Sequence, residues 1–410
     1  MYGWTVCAVS RLKKRNFQVK PSHMIRHVSQ TLSLLFLAVF CWGQTQPLIV
    51  PKYIRLPADS VQSAQLVASL NGFLVQASGP NKDNAFVQEG YLPETSALLD
   101  EMKGIGNAGA GKVNFYRCYL TNVALLDSSD FIIQLSWLGS VDSMPVLRAS
   151  FKLIAYQAGD RYCFRSPLKR NTATWRQKKV GTFVFHYNNP LNETALDVYV
   201  KKAVEFDRKL GVKEYVTQFY CCNSLQEGLE MLGVDYKLDY NGYYSDNFSS
   251  FEDNISLNIM GASNSNPALF DLHDLWHDRL HHAIPVSTIN KPIDEGCAYL
   301  YGGSWGFSWE EIFKQFRAYM GDNKDWLTAF TENKNFASSQ RYHLYVAYVI
   351  DALLAQKIEK EKGFDAVMEF LSCGKSQPGD DNYFAALDKI AGINRLNFNE
   401  SVEKLVEEER

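Results

Sequence analysis

The chain has 410 residues, with 42 Lys and Arg against 45 Asp and Glu and a formal net charge of −3. That near-balance excludes a general nucleic-acid binder and a long acidic solvating tail. A hydrophobic share of 46% is enough apolar material for two or more cored domains, and an aromatic share of 13% puts many large rings in them.

Residues 1–46 read as a leader. Residues 32–43 form an uncharged apolar run, the length of a signal-peptide core and short for a membrane span. Arg26 and His27 precede it, Cys41-Trp42-Gly43 closes it, and polar Gln44-Thr45-Gln46 follows. Met24 fits the true start, with residues 1–23 as an upstream extension; a long basic leader from Met1 and an uncleaved membrane anchor are the alternatives. The expectation is an exported protein, periplasmic or extracellular, with no stable membrane span after cleavage. Cys118, Cys163, Cys221, Cys222, Cys297 and Cys373 then remain and are free to pair in an oxidising compartment. No C-x-x-C motif occurs, so a cysteine zinc site is unsupported. Adjacent Cys221 and Cys222 on a strand point to opposite faces.

Residues 47–170 predict one α+β unit, a binding or scaffold domain. A helix over 61–75 starts at Asp59 or Ser60, and a second covers 93–102 with Pro93 in its first turn. The glycine-rich stretch 104–111 lacks the G-K-S/T ending of a phosphate loop. Strands are predicted over 113–123, 131–138, 145–155 and 161–165, alternating and rich in aromatic and β-branched residues. Helices followed by an antiparallel meander resemble, in element order, the cone of nuclear transport factor 2-like (NTF2-like) domains.

Residues 171–180 are polar and basic and read as a linker. From 181 the pattern changes to strand 182–187, helix 192–210, strand 214–222, helix 224–232, a tyrosine-rich stretch 236–244 and strand 255–260. After Gly261 strand signals stop. Helices follow over 267–283, 292–301, 309–320, 342–360, 364–372, 382–391 and 398–408.

The chemistry concentrates in His273-Asp274-Leu275-Trp276-His277 and, 295 − 277 = 18 residues on, in Asp294-Glu295-Gly296. Four of the eight histidines fall within residues 273–282. Residues four apart share a helix face, so His273 and His277 can aim two imidazoles at one spot, and Glu295 can add a carboxylate from the next helix. Imidazole plus carboxylate with an open fourth position is a zinc donor set. His277-Asp278-Arg279-Leu280-His281 is an overlapping copy, so His281 is an alternative ligand. Asp294 reads either as a carboxylate holding a ligand's second ring nitrogen or as a helix N-cap.

H-D-x-x-H followed by D-E-G resembles the H-E-x-x-H…E-G pattern of the gluzincin zinc metallopeptidases, of the peptidase MA type. The resemblance implies a zincin-like domain over 181–410, with a mixed-sheet upper lobe and a helical lower lobe. It implies zinc on His273, His277 and Glu295, and Asp274 as general base. It also implies an edge strand at Ile255, Leu257 and Ile259 pairing with an extended peptide or protein. A downstream Tyr or His would steady the oxyanion, with Tyr299, Tyr301, Tyr342 and His343 as candidates. The chain departs from the family where Asp274 replaces Glu, a carboxylate one methylene shorter. Two functions follow: metal-assisted peptide-bond hydrolysis, or an inactive metallopeptidase-like protein that binds peptide or keeps the metal as a structural element. Oligomeric state is left open.

Overall fold

The structure is a computed structural model that describes residues 47–409 except 108–113, 128, 264–265 and 340–341. The leader expected over 1–46 lies outside the described residues. The fold is α+β, built on two mixed sheets.

The first sheet holds β1 (Leu48–Ile49), β2 (Arg117–Leu125), β3 (Phe131–Val141), β4 (Met144–Ala158) and β5 (Arg161–Arg165), in that spatial order. Helix α1 (Ser60–Gln76) packs on it through fully buried Leu66, Leu70 and Phe73, spaced three and four apart. The Asp59 carboxylate starts α1, accepting from the N–H groups of Val61 and Gln62 at 2.8 Å. Helix α2 (Leu92–Met102) follows with Pro93 in its first turn.

The second sheet runs β10-β11-β8-β7-β6, with β6 (Arg176–Val180), β7 (Phe183–Tyr187), β8 (Val216–Cys222), β10 (Asn247–Glu252) and β11 (Ile255–Gly261). Strands β7, β8 and β11 are parallel; β6 and β10 are antiparallel edges. Helix α3 (Leu168–Asn171) leads into this sheet, and α4 (Glu193–Leu210) and α5 (Leu225–Leu232) connect its strands.

Residues 171–180, expected as a linker, instead carry β6. Its basic residues are those of an exposed edge strand, where lysines discourage further pairing. Nor is the core of the first expected domain its own, although the second keeps one from Phe183 to Val402. Strand β9 (Val234–Lys237) crosses the expected boundary and pairs with β4. Leu98, Phe151 and Phe164 of the first segment share one core with Leu229, Phe248 and Ile259 of the second. The described chain from Leu48 on is accordingly one unit by its contacts.

After Gly261 no further strand occurs among the described residues. The helices are α6 (Leu272–Ala283), α7 (Lys291–Gly302), α8 (Trp309–Met320), α9 (Trp326–Glu332), α10 (Val346–Lys362), α11 (Phe364–Leu371), α12 (Asp381–Ala391) and α13 (Phe398–Glu408). Val349, Ile350, Leu353 and Leu354 of α10 are buried on consecutive faces, which makes α10 the central post of this half. No described helix is long and apolar enough to cross a membrane. The six described cysteines are unpaired, and Cys221 and Cys222 face two different cores, as a strand's alternation requires.

Candidate metal centre

Two helix starts and two close approaches place the motif residues. Helix α6 begins at Asp271, whose carboxylate accepts from the His273 N–H at 2.8 Å. Leu275, Trp276 and Leu280 are buried, and that phase turns His273 and His277 toward α7. Helix α7 begins at Asn290 with Pro292 in its first turn. A Cβ on Gly302 would lie 2.5 Å from the Leu272 carbonyl oxygen, so a glycine there lets the end of α7 touch the start of α6. A Cβ on Gly296 would lie 2.6 Å from the Asp351 Cβ, so a glycine there lets α10 close on α7.

The three expected ligand atoms converge. His273 Nε2 and His277 Nε2 are 3.2 Å apart, and Glu295 Oε2 lies 3.3 Å from the first and 3.8 Å from the second. The opposite ring nitrogens are committed. His273 Nδ1 lies 2.9 Å from the Gly303 carbonyl oxygen, and His277 Nδ1 lies 2.9 Å from both carboxylate oxygens of Asp294. Those partners only accept, so each Nδ1 carries the proton and each Nε2 presents a lone pair. With both rings neutral, two lone pairs and a carboxylate oxygen face one point with no donor among them, an arrangement that a cation would satisfy. Burial opposes a charge on His273, but the Glu295 carboxylate outweighs it and raises the imidazole pKa, so a proton competes with a metal ion for the His273 Nε2 lone pair. Burial likewise opposes ionisation of Glu295, but contact with His273 and the charge of His277 hold its carboxyl low. The His273, His277 and Glu295 group can hold a metal ion.

Asp294 takes the ring-holding role of its two readings, since Asn290 stands at the N-cap. It is 5% exposed and also accepts from Trp276 Nε1 at 3.1 Å. His281 does not join the group. Its ring centre is 6.4 Å from that of His277, and burial depresses its pKa.

The group borders a cleft of two chambers, about 810 and 730 Å³, which share Asn247, Asp274, Glu295 and Tyr348 among their walls. Asp274 accepts from the Asn247 side-chain amide at 3.1 Å. The substrate residues expected on Ile255, Leu257 and Ile259 are corrected here. Strand β11 is flanked by β10 and β8, so it has no free edge. Leu257 and Ile259 point into the core shared with the first sheet, while Asn258 and Met260 face the cleft. The edge strand is β10, whose Asn247 and Ser249 line the first chamber.

Of the oxyanion candidates, the Tyr299 hydroxyl donates to the His343 carbonyl at 3.3 Å and accepts from the Tyr345 N–H at 3.2 Å. The Tyr301 hydroxyl donates to Glu359 at 2.6 Å. Tyr299, Tyr342 and His343 line the second chamber, and Tyr301 lines neither. Tyr348, read in sequence as interior to a helix, lines both chambers. Burial and the nearby Glu295 push its phenol up to about 12, so it is a donor at neutral pH.

Compared with family models, with curated proteins and with solved structures, the chain gives no match in any of the three. The gluzincin resemblance rests on the motif residues of the sequence.

Proposed function

We propose that the protein is an exported, zinc-dependent hydrolase of gluzincin type that cleaves extended peptides. The observation that carries this reading is the convergence of His273 Nε2, His277 Nε2 and Glu295 Oε2 with both Nδ1 atoms already committed. Two imidazoles and one carboxylate leave a coordination position open, which is the donor set of catalytic zinc. When bound, such an ion polarises a carbonyl and makes a water acidic enough to lose a proton near neutral pH.

The chain's own residues supply the rest. Asp294 keeps His277 in the ligating tautomer and orients its ring. Asp274, on the cleft wall beside Asn247, is the group that takes the proton from the attacking water. Tyr348 and His343 offer donors toward a developing oxyanion. The outer edge of β10, with no strand beside it among the described residues, supports an extended ligand, because a strand laid there gains main-chain hydrogen bonds.

One observation favours the second reading, a zinc-holding protein that binds peptide without turnover. The Asp274 carboxylate is short and already engaged by Asn247. Three measurements separate the two readings: metal content of the wild type and His277→Ala, and cleavage of a broad peptide library. Under the hydrolase reading the wild type carries zinc and His277→Ala loses it. Asp274→Glu keeps or raises cleavage, and Asp274→Ala abolishes it. Bound zinc with no cleavage by the wild type or Asp274→Glu selects the binding reading. A metal-free wild type that takes up no zinc overturns both.

A further inference from the structure

The two chambers of the cleft differ chemically, and that difference bears on what the site takes. Resting on the peptide reading above, we propose that the second chamber is a subsite for a positively charged group of the ligand, an ammonium or guanidinium.

The first chamber is walled on one side by Met260, Leu269, Val286 and Ile289. Its carboxylates beyond the shared ones are taken up. Asp294 holds His277 and Trp276, and Asp278 lies 3.5 Å from Arg279 and 3.6 Å from His282. That chamber suits an aliphatic side chain.

The second chamber is walled by rings: Trp305, Tyr342, His343, Tyr345 and Tyr348. A ring face carries partial negative charge and attracts a cation. Asp246 lines this chamber and not the first, Asp271 and Asp274 line both, and among the described residues none of the three stands in an ion pair. The chamber's one lysine, Lys291, lies 3.8 Å from Glu295 instead. The rings together with Asp246, a carboxylate that the first chamber lacks, complement a cation, whereas an aliphatic or acidic group would leave that charge unanswered. At about 730 Å³ the space admits a long side chain as well as its charged end.

Trp305 is fixed in place for such a role. Its indole N–H donates to the His343 carbonyl at 3.1 Å, and its ring centre is 5.9 Å from that of His343. It remains 49% exposed, on a backbone with φ of 55°, a left-handed conformation that costs a tryptophan energy.

The test uses the full chain loaded with zinc and a series of labelled hexapeptides. One central position carries Lys, Arg, norleucine or Glu, and each peptide has a free or an acetylated N-terminus. Equilibrium binding is read by anisotropy and cleavage by chromatography. The Lys and Arg peptides should bind about 10-fold more tightly than the norleucine peptide, the range of a desolvated cation on a ring with a carboxylate beside it. In Asp246→Asn and Trp305→Ala that ratio should fall below about 3-fold. Circular dichroism checks both folds, and the near-isosteric Asp246→Asn decides if Trp305→Ala misfolds. A preference that follows the free N-terminus instead of the side chain also supports the cation subsite and assigns its source to the α-amino group. Peptide binding with no basic preference, or with a preference that both variants retain, overturns the subsite and leaves the hydrolase reading standing. Zinc uptake with no binding or cleavage of any peptide overturns the peptide reading itself, and the subsite with it.

Discussion

Helix α6 carries two charged faces, and they do opposite things with similar residues. On the front, His273 and His277 turn two lone pairs toward Glu295, with no donor at the meeting point. On the back, Asp278 and His282 are also four residues apart, and Arg279 sits between them and Asp207. Arg279 is 1% exposed, its Nε 3.3 Å from Asp207 and its guanidinium carbon over the rings of Phe183 and Tyr215. The His282 ring packs 4.2 Å from that of Phe251 and 4.5 Å from that of Tyr215. Helical spacing therefore does not by itself make a metal site. The balance of donors and acceptors does. The back supplies a buried cation in Arg279, whereas the front has only the exposed Lys291, 3.8 Å from Glu295.

Two substitutions try that contrast, the larger effect on the back face. Arg279→Ala leaves Asp207 and Asp278 without their buried cation and should cost about 3–5 kcal/mol of stability, read by urea or thermal unfolding. Zinc stoichiometry of the folded fraction should stay as in the wild type. Joint loss of both would mean that the two faces are one network. On the front, Asp294→Ala frees His277 Nδ1 and should weaken zinc binding about 10- to 100-fold, read by competition with a chelator. Unchanged affinity there would mean that His277 does not depend on Asp294 for its tautomer, and the convergence argument would lose its footing.

The front face was legible because its signals are local. The i, i+4 pair and the Glu295 carboxylate lie within residues 273–295, although the motif helix starts at Leu272 behind Asp271 and not at 267. Elements with equally local signals were also readable, such as β5 at Arg161–Arg165 and α1 with its Asp59 cap. What escaped depends on partners distant in sequence. Strand β9 is a strand because β4 offers it an edge, and nothing in Val234–Lys237 announces that. Strand β10 reads Asn-Phe-Ser-Ser-Phe-Glu, a polar edge segment that resembles a loop until β11 pairs with it. The resemblance to gluzincins places the edge at β11 and so puts its apolar alternate residues at the cleft, although in a strand they mark the core face. Tyr348 was hidden for a related reason: a phenol on an otherwise buried helix declares its role only where the cavity meets it.

The same question can be asked of α7, whose front bears Glu295 and whose back, at Gly296, meets Asp351. No arginine answers this carboxyl. It is fully buried, accepts from the Tyr383 hydroxyl at 2.6 Å on one oxygen, and has no hydrogen-bond partner on the other among the described residues. Burial pushes it from its ordinary value of 3.8 up to about 8. Below 3.8 both the folded and the unfolded chain hold the proton. Between 3.8 and about 8 the unfolded chain releases it and the folded chain keeps it, so stability falls as pH rises through that window. Asp351→Asn removes the titration and keeps an acceptor for Tyr383. At the acid end the variant should differ from the wild type by about 1 kcal/mol or less, since amide and carboxylic acid are close in shape and polarity. Its relative stability should then climb toward pH 8, measured as unfolding midpoints across the range. Parallel profiles would show that Asp351 is already ionised in the folded chain and that α7, like α6, has a cation behind it.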